Sequence, residues 1–422
     1  MIYLILLLAV LLRLVSINQS LWLDEATSAL AAKMSLTDLF SKFLPGDFHP
    51  PLYYLLLHFW VKIFGTGEFS LRVPSIIFGI LTIYIVYKLS KNLIAPAFLA
   101  TSGLMIYYSQ EARMYSMATF LVSLSIYLFV KKKYGWLSIS LFLLGMTDYV
   151  SLLIIPVFFI LDFKKWKKLI VSQLPLIAGF LLWMPTFIRQ LESGLAVQSA
   201  IPGWWQILGQ ASLKNIGLIP VKFILGRISF DDKFVYSVAA AAVLGLFLYA
   251  VYMSKKAEKV FWLWLVLPIV LGIILSIKVP TLSYFRFLFC LPALYILISK
   301  SKAPKIFIAL IFAVNLFSSF YYLTTPRFWR EDWRSAASAI GRDVVVYPAP
   351  SQKEALIYYG KSSQITNYSD FSGGPSEIWL SRYVWQIFDP NDLARKKVES
   401  LGYNKVQKQN FNGVELWKYK KI

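Results

Sequence analysis

The chain is poor in the residues on which most soluble catalysts depend. Its 422 residues include one cysteine and two histidines. Cys290 stands in an apolar run, which excludes a disulfide framework and a thiolate metal cluster. His49 and His58 are the only imidazoles available for ligation or proton transfer. Acidic residues number 22 against 43 basic ones, for a formal net charge of +21. There is no glycine-rich loop to cradle phosphates, no nucleophile elbow and no His-x-x-x-His pair. ATP hydrolysis and soluble nucleotide-sugar chemistry therefore have no support. Internal repeats and low-complexity linkers are missing as well.

What the chain has is apolar surface. It is 58% hydrophobic and 17% aromatic, more than a soluble domain needs, which identifies a polytopic membrane protein. Its positive excess sits in short lysine clusters between apolar runs, the signature of membrane orientation rather than of nucleic-acid binding. Residues 2–17 have no basic n-region and no small-residue cleavage site, so they are expected to be a retained span. Arg13 near its outer end can snorkel to the surface or meet a lipid phosphate. Further spans fit at 72–90, 93–109, 115–130, 134–148, 149–162, 168–189, 234–253, 260–277, 284–299 and 304–323, about eleven helices in all.

Residues 51–64 decide the orientation. Leu52, Leu55, Leu56, Phe59, Trp60, Ile63 and Phe64 recur at helical spacing, and Pro51 suits the first helical position. Fourteen residues reach roughly 21 Å, short of a hydrocarbon core of about 30 Å. A surface helix is expected instead of a span. Lys88/Lys91, Lys131–Lys133, Lys164/Lys165/Lys167/Lys168, Lys255/Lys256/Lys259 and Lys300/Lys302/Lys305 then share one side, the cytoplasm by the positive-inside rule. The outer side receives 18–70, 108–115, 190–233, 278–284 and everything after 324. Residues 1–325 thus form a membrane domain with an outer loop at 18–70, in the plasma membrane. Residues 326–422 form a soluble α/β domain outside it. In that domain 343–347 and 377–380 suit strands, 391–401 a helix stopped by Gly402, and Asn412-Gly413 a hairpin turn.

Several outward-facing residues can carry chemistry. Asp24 and Glu25 open a helical stretch at the membrane surface. An adjacent acidic pair there either caps the helix or supplies a base for an attacking hydroxyl. His49, ahead of Pro50-Pro51, either caps its turn or ligates a metal or phosphate. With Glu25 or Glu111 it is a candidate ligand for zinc, manganese or magnesium. Glu111 and Arg113 lie where a span emerges, and ionisable residues at that depth are candidate site residues. Arg113 and Arg286 suit a lipid phosphate because the guanidinium fork meets two oxygens at once. Arg72 is either a boundary charge or a third phosphate contact.

The order Trp22-Leu23-Asp24-Glu25, His49-Pro50-Pro51-Leu52-Tyr53, Leu71-Arg72-Val73-Pro74-Ser75 and Gln110-Glu111-Ala112-Arg113-Met114-Tyr115 resembles the GT-C membrane glycosyltransferases. Within them it is similar to relatives of protein O-mannosyltransferases and aminoarabinose–lipid A transferases. Tyr284-Phe285-Arg286 and Glu331-Asp332-Trp333-Arg334 extend the likeness. The resemblance implies a polyprenyl-phosphate-linked hexosyl or pentosyl donor and an acceptor hydroxyl on a protein, lipid or glycan. It implies Asp24 as catalytic base with Glu25 in support, Arg113 and Arg286 on the phosphate, and Glu111 and Tyr115 lining the cavity. Phe48-His49 stands where lipid A transferases carry an acidic residue and a lysine, which leaves metal use and donor identity open. A non-catalytic lipid or polysaccharide transporter is the alternative. Transporters, however, show paired repeats and charges near the bilayer midplane, whereas these charges cluster at the outer level.

Overall fold

The computed structural model describes every residue except 202, 204–207 and 350, so part of the 190–233 segment lies outside the described residues. Among the described residues four helices are long and apolar enough to cross a membrane: Glu68–Ser90, Phe163–Ser199, Lys233–Tyr252 and Lys305–Thr324. Around them pack shorter apolar helices, among them Ile2–Leu14, Tyr115–Val130, Tyr134–Gly145 and Lys259–Leu275. Glu68–Ser90 lies against Tyr115–Val130, and Tyr134–Gly145 against Trp166–Ala200.

Three expected spans are broken, one of them 149–162, which divides into a 3-10 stretch, Val150–Ile154, and the helix Ile155–Leu161. The 93–109 segment is Ile94–Thr101 followed by Gly103–Ser109, divided at Ser102, whose backbone is extended (φ −69°, ψ 118°) and whose Oγ caps the second helix. The 284–299 segment opens with a 3-10 stretch, Tyr284–Cys290, before the helix Leu291–Ser299. Tighter winding there precedes Pro292, whose ring cannot follow a regular α turn. Arg13 also departs from expectation. It is fully buried, and its Nη1 donates to the carbonyls of Ala9 and Ala100, 3.1 Å each, so it reaches neither the surface nor lipid phosphate.

The expected helix forms as Leu52–Phe64, with Pro51 as its N-cap and Gly65 (φ 76°) ending it. Tyr53, Tyr54, Leu57 and His58 face inward, while Phe59, Ile63 and Phe64 are exposed, so the helix packs on one side and presents apolar side chains on the other. His58 is a packing residue, its Nδ1 3.1 Å from the Ala32 carbonyl oxygen.

The C-terminal sheet has the order β2-β1-β3-β5-β4, with β1 Val344–Tyr347, β2 Ile365–Asn367, β3 Glu377–Ser381, β4 Tyr403–Phe411 and β5 Val414–Lys421. β1 pairs in parallel with β2 and β3, and β5 antiparallel with β3 and β4. Asn412 (φ 48°) and Gly413 (φ 105°) make the left-handed turn that a two-residue hairpin requires. The helix Leu393–Ser400 ends before Gly402 (φ 83°). Asn412 also donates to the carbonyls of Trp329 and Arg330, which ties the hairpin to the segment leaving the last membrane helix.

Close packing of Glu68–Ser90 on Gly103–Ser109 sets the height of the loop that follows. A Cβ at Gly79 would lie 2.3 Å from the Ser109 Oγ and 3.4 Å from the Arg13 Nε. Gly79→Val should cost about 1–3 kcal/mol, the usual penalty of overpacking. A lowered melting temperature in detergent would register it, and unchanged melting would refute this account of the contact.

Candidate active site

Two adjacent carboxylates at the start of the helix Leu23–Lys33 meet opposite fates. Successive helical residues point about 100° apart, so one turns into the protein and the other along its surface. Glu25 is fully buried; the Asp24 side chain is 39% exposed.

Glu25 is held from three directions. Arg72, on Glu68–Ser90, donates to both its oxygens, Nε to Oε1 at 2.8 Å and Nη2 to Oε2 at 2.6 Å. The Ala112 N–H donates to Oε1 at 2.9 Å, and Arg330 Nε lies 3.2 Å from Oε2. Burial pushes its pKa up, but Arg72 and Arg330 outweigh that and hold it below the usual carboxylate range. Arg72 spends its remaining donors on the carbonyls of Ile17, Gln19 and Ser20. With all five N–H groups engaged and no exposure, Arg72 has none left for a lipid phosphate. The phosphate contact and the boundary charge expected of it both give way to an internal brace.

Asp24 pairs with Arg113, whose Nη2 lies 3.9 Å away. Arg113 is a hub: its Nη1 lies 3.2 Å from the Tyr54 Oη and 3.5 Å from the Ser28 Oγ, and its Nη2 3.4 Å from the His49 Nδ1. Asp47 accepts from Tyr54 at 2.8 Å and pairs with His49 Nδ1 at 3.3 Å. Burial raises the Asp47 pKa, and His49, Arg113 and Tyr54 together more than reverse that. Arg286 feels Tyr115, Asp148, Arg113 and Asp24, while its Nη1 donates to the Pro280 carbonyl at 2.7 Å. Phe285 and Tyr108 both stack edge-on against Tyr115, at 5.2 and 5.3 Å. Asp24, His49, Arg113, Tyr115 and Arg286 therefore converge, with Glu25, Arg72 and Glu111 behind them.

His49 does not meet Glu25 or Glu111. Its Nδ1 is occupied by Asp47, with the Arg113 guanidinium beside it, and a fixed cation there opposes a second one. Among the described residues no three His, Cys, Asp or Glu side chains form a group that could hold a metal ion. This donor set does not fit a resident divalent ion.

Residues outside the expected set complete the site. Arg330 reaches in from the membrane–domain link: its Nη2 donates to the Tyr107 carbonyl, and its guanidinium lies 4.4 Å from the Tyr107 ring centre. Arg227 covers the same ring at 4.7 Å and bonds the Tyr284 hydroxyl. Glu331 accepts from the Trp333 Nε1 and the Tyr383 Oη, 2.8 Å each, bringing the C-terminal domain to the site. Arg330 stands one residue ahead of a recognised motif, and Arg227 follows a glycine in a loop. No periodicity marks either.

Glu111 has Arg330 Nη2 at 3.5 Å, yet neither of its oxygens accepts a hydrogen bond among the described residues. Burial pushes its pKa up to about 7, against the pull of Arg330 and with added repulsion from Glu25 and Asp24. The fold thus favours the protonated form. Its contribution to stability is present below about pH 4.5 and is lost as pH rises through about 7. Glu111→Gln should flatten the fall in melting temperature between about pH 5 and 8. An unchanged slope in that window would show that Glu111 does not titrate there.

The model of the dolichyl-phosphate-mannose-protein mannosyltransferase family matches residues 48–191, about a third of the chain. That stretch holds His49, Arg72, Glu111, Arg113 and Tyr115. No curated protein matches the chain by sequence. Among solved structures, ArnT from Cupriavidus metallidurans bound to undecaprenyl phosphate is 13% identical, with a TM-score of 0.45 over 99% of this chain and 97% of that one. The same protein in the apo state is 11% identical, with a TM-score of 0.46 over the same shares. Both likenesses are distant.

Proposed function

We propose that the chain is a membrane glycosyltransferase of GT-C type that moves a sugar from a polyprenyl-phosphate donor to an acceptor hydroxyl on the outer face of the plasma membrane. One observation carries the reading: a half-exposed carboxylate, Asp24, beside a cluster of guanidinium groups, with its neighbour Glu25 buried and saturated. The match of 48–191 to a family named for a dolichyl-phosphate-mannose donor supports the same chemistry.

The acceptor hydroxyl attacks the anomeric carbon while Asp24 takes its proton. As the new C–O bond forms, the bond from the anomeric carbon to the phosphate oxygen breaks, and polyprenyl phosphate leaves with one more negative charge. Arg113, 3.9 Å from Asp24, and Arg286, whose charge acts on Asp24 and Tyr115, would meet that charge. Guanidinium groups in a water-poor setting stabilise a departing phosphate far better than they would in water. Tyr108, Tyr115 and Phe285 supply apolar faces that limit loss of the donor to water. No step needs a resident metal, so turnover should survive exhaustive chelation; its loss, restored by added zinc, manganese or magnesium, would overturn this point.

Purified protein incubated with labelled polyprenyl-phosphate sugars should consume one of them. Asp24→Asn keeps shape and helix start but cannot accept the proton, so turnover should fall by about 10²–10⁴-fold with donor binding intact. Glu25→Gln should lower the melting temperature more than Asp24→Asn does. If Asp24→Asn turns over at the wild-type rate, Asp24 is not the base.

A further inference from the structure

Far from the site, at the lysine-rich end of the bundle, an apolar cavity of about 670 Å³ lies between the starts of Ile2–Leu14, Ile94–Thr101 and Lys305–Thr324. Phe98 and Ile298 lie buried at it, whereas Leu4 and Ile94 are 69% and 44% exposed and open it outward. Its size is that of a small-molecule pocket. Within a bilayer such a groove is filled by hydrocarbon chains whatever its shape. What distinguishes it is the charge at its polar end.

Lys305 lines the groove, and Lys302 stands between Ser301 and Ala303, which line it too. Both lysines are exposed, and neither forms an ion pair among the described residues. Lys300 is already neutralised by Glu258 at 2.9 Å. The 20-residue helix Lys305–Thr324 starts behind Pro304 without a side-chain cap, so its positive end adds to the same field. An apolar slot with uncompensated cations at its polar end complements an anionic amphiphile.

We propose that this groove binds an anionic glycerophospholipid of the leaflet at the lysine-rich end, with an acyl chain against Phe98 and Ile298 and the phosphate at Lys302 and Lys305. If the lysines only orient the chain in the membrane, the groove takes any phospholipid alike.

Delipidated full-length protein would be titrated with phosphatidylglycerol and with phosphatidylcholine of the same acyl chains, and bound lipid counted by native mass spectrometry. Phosphatidylglycerol should bind more tightly. Lys302→Gln and Lys305→Gln should each weaken it roughly fivefold, leaving phosphatidylcholine unchanged. Ala97→Trp, which fills the slot, should reduce both lipids. Lys167→Gln with Lys168→Gln, at another basic corner, should change neither. Equal affinity for the two lipids would overturn the proposal. So would indifference to both groove lysines, or an equal loss from the Lys167/Lys168 control, which would mean general surface attraction. The lysine substitutions are on the surface, so the test stands even where Ala97→Trp fails to fold.

Discussion

A single buried carboxylate organises the candidate site of this protein. Taking Glu25 out of water costs several kcal/mol unless every lone pair is met. Here the two oxygens are met by the Arg72 fork, the Ala112 amide and the Arg330 guanidinium. Those partners come from an apolar helix, from the loop after Gly103–Ser109 and from the link to the C-terminal sheet domain. Removing one leaves charge stranded in a low dielectric, typically a loss of about 3–5 kcal/mol. The knot is therefore an all-or-none joint, and everything beside it inherits its rigidity.

Asp24 owes its freedom to that arrangement. With Glu25 anchored, the first turn of Leu23–Lys33 cannot rotate, so Asp24 stays half in water and 3.9 Å from Arg113. Arg113 is in turn steadied by Tyr54, itself bonded to the largely enclosed Asp47. Few of these groups can move without breaking another hydrogen bond. A site held this way meets a reacting bond with its charges already oriented, which is where electrostatic stabilisation has its largest effect.

Much of this was legible in the chain, for identifiable reasons. Helical spacing over 52–64 exposed a two-faced helix because apolar residues recur there every three or four positions. Asn412-Gly413 revealed a hairpin because only a few residues accept left-handed dihedrals in succession. The acidic pair stood out because charge at a membrane boundary is costly. Which carboxylate turned inward was not legible, since that depends on Arg72 and Arg330 arriving from segments 47 and 305 positions away. The Asp47 pairing of His49, the break at Ser102 and the reach of Arg227 were hidden likewise. Each is set by tertiary contact, and the local pattern around it is equally compatible with other outcomes.

Arg330 also bears on modularity. Composition changes near 326, and a boundary drawn there makes the soluble domain look like an appendage that could be exchanged between relatives. Yet the guanidinium completing the membrane domain's buried carboxylate lies past that line, and so does the Asn412 amide that grips the Arg330 carbonyl. An outer domain without an arginine at this depth would leave Glu25 under-neutralised. Exchanging everything past 326 would therefore have to bring an arginine and a hairpin to the same depth, because the carboxylate of one domain is completed by the chain of the other.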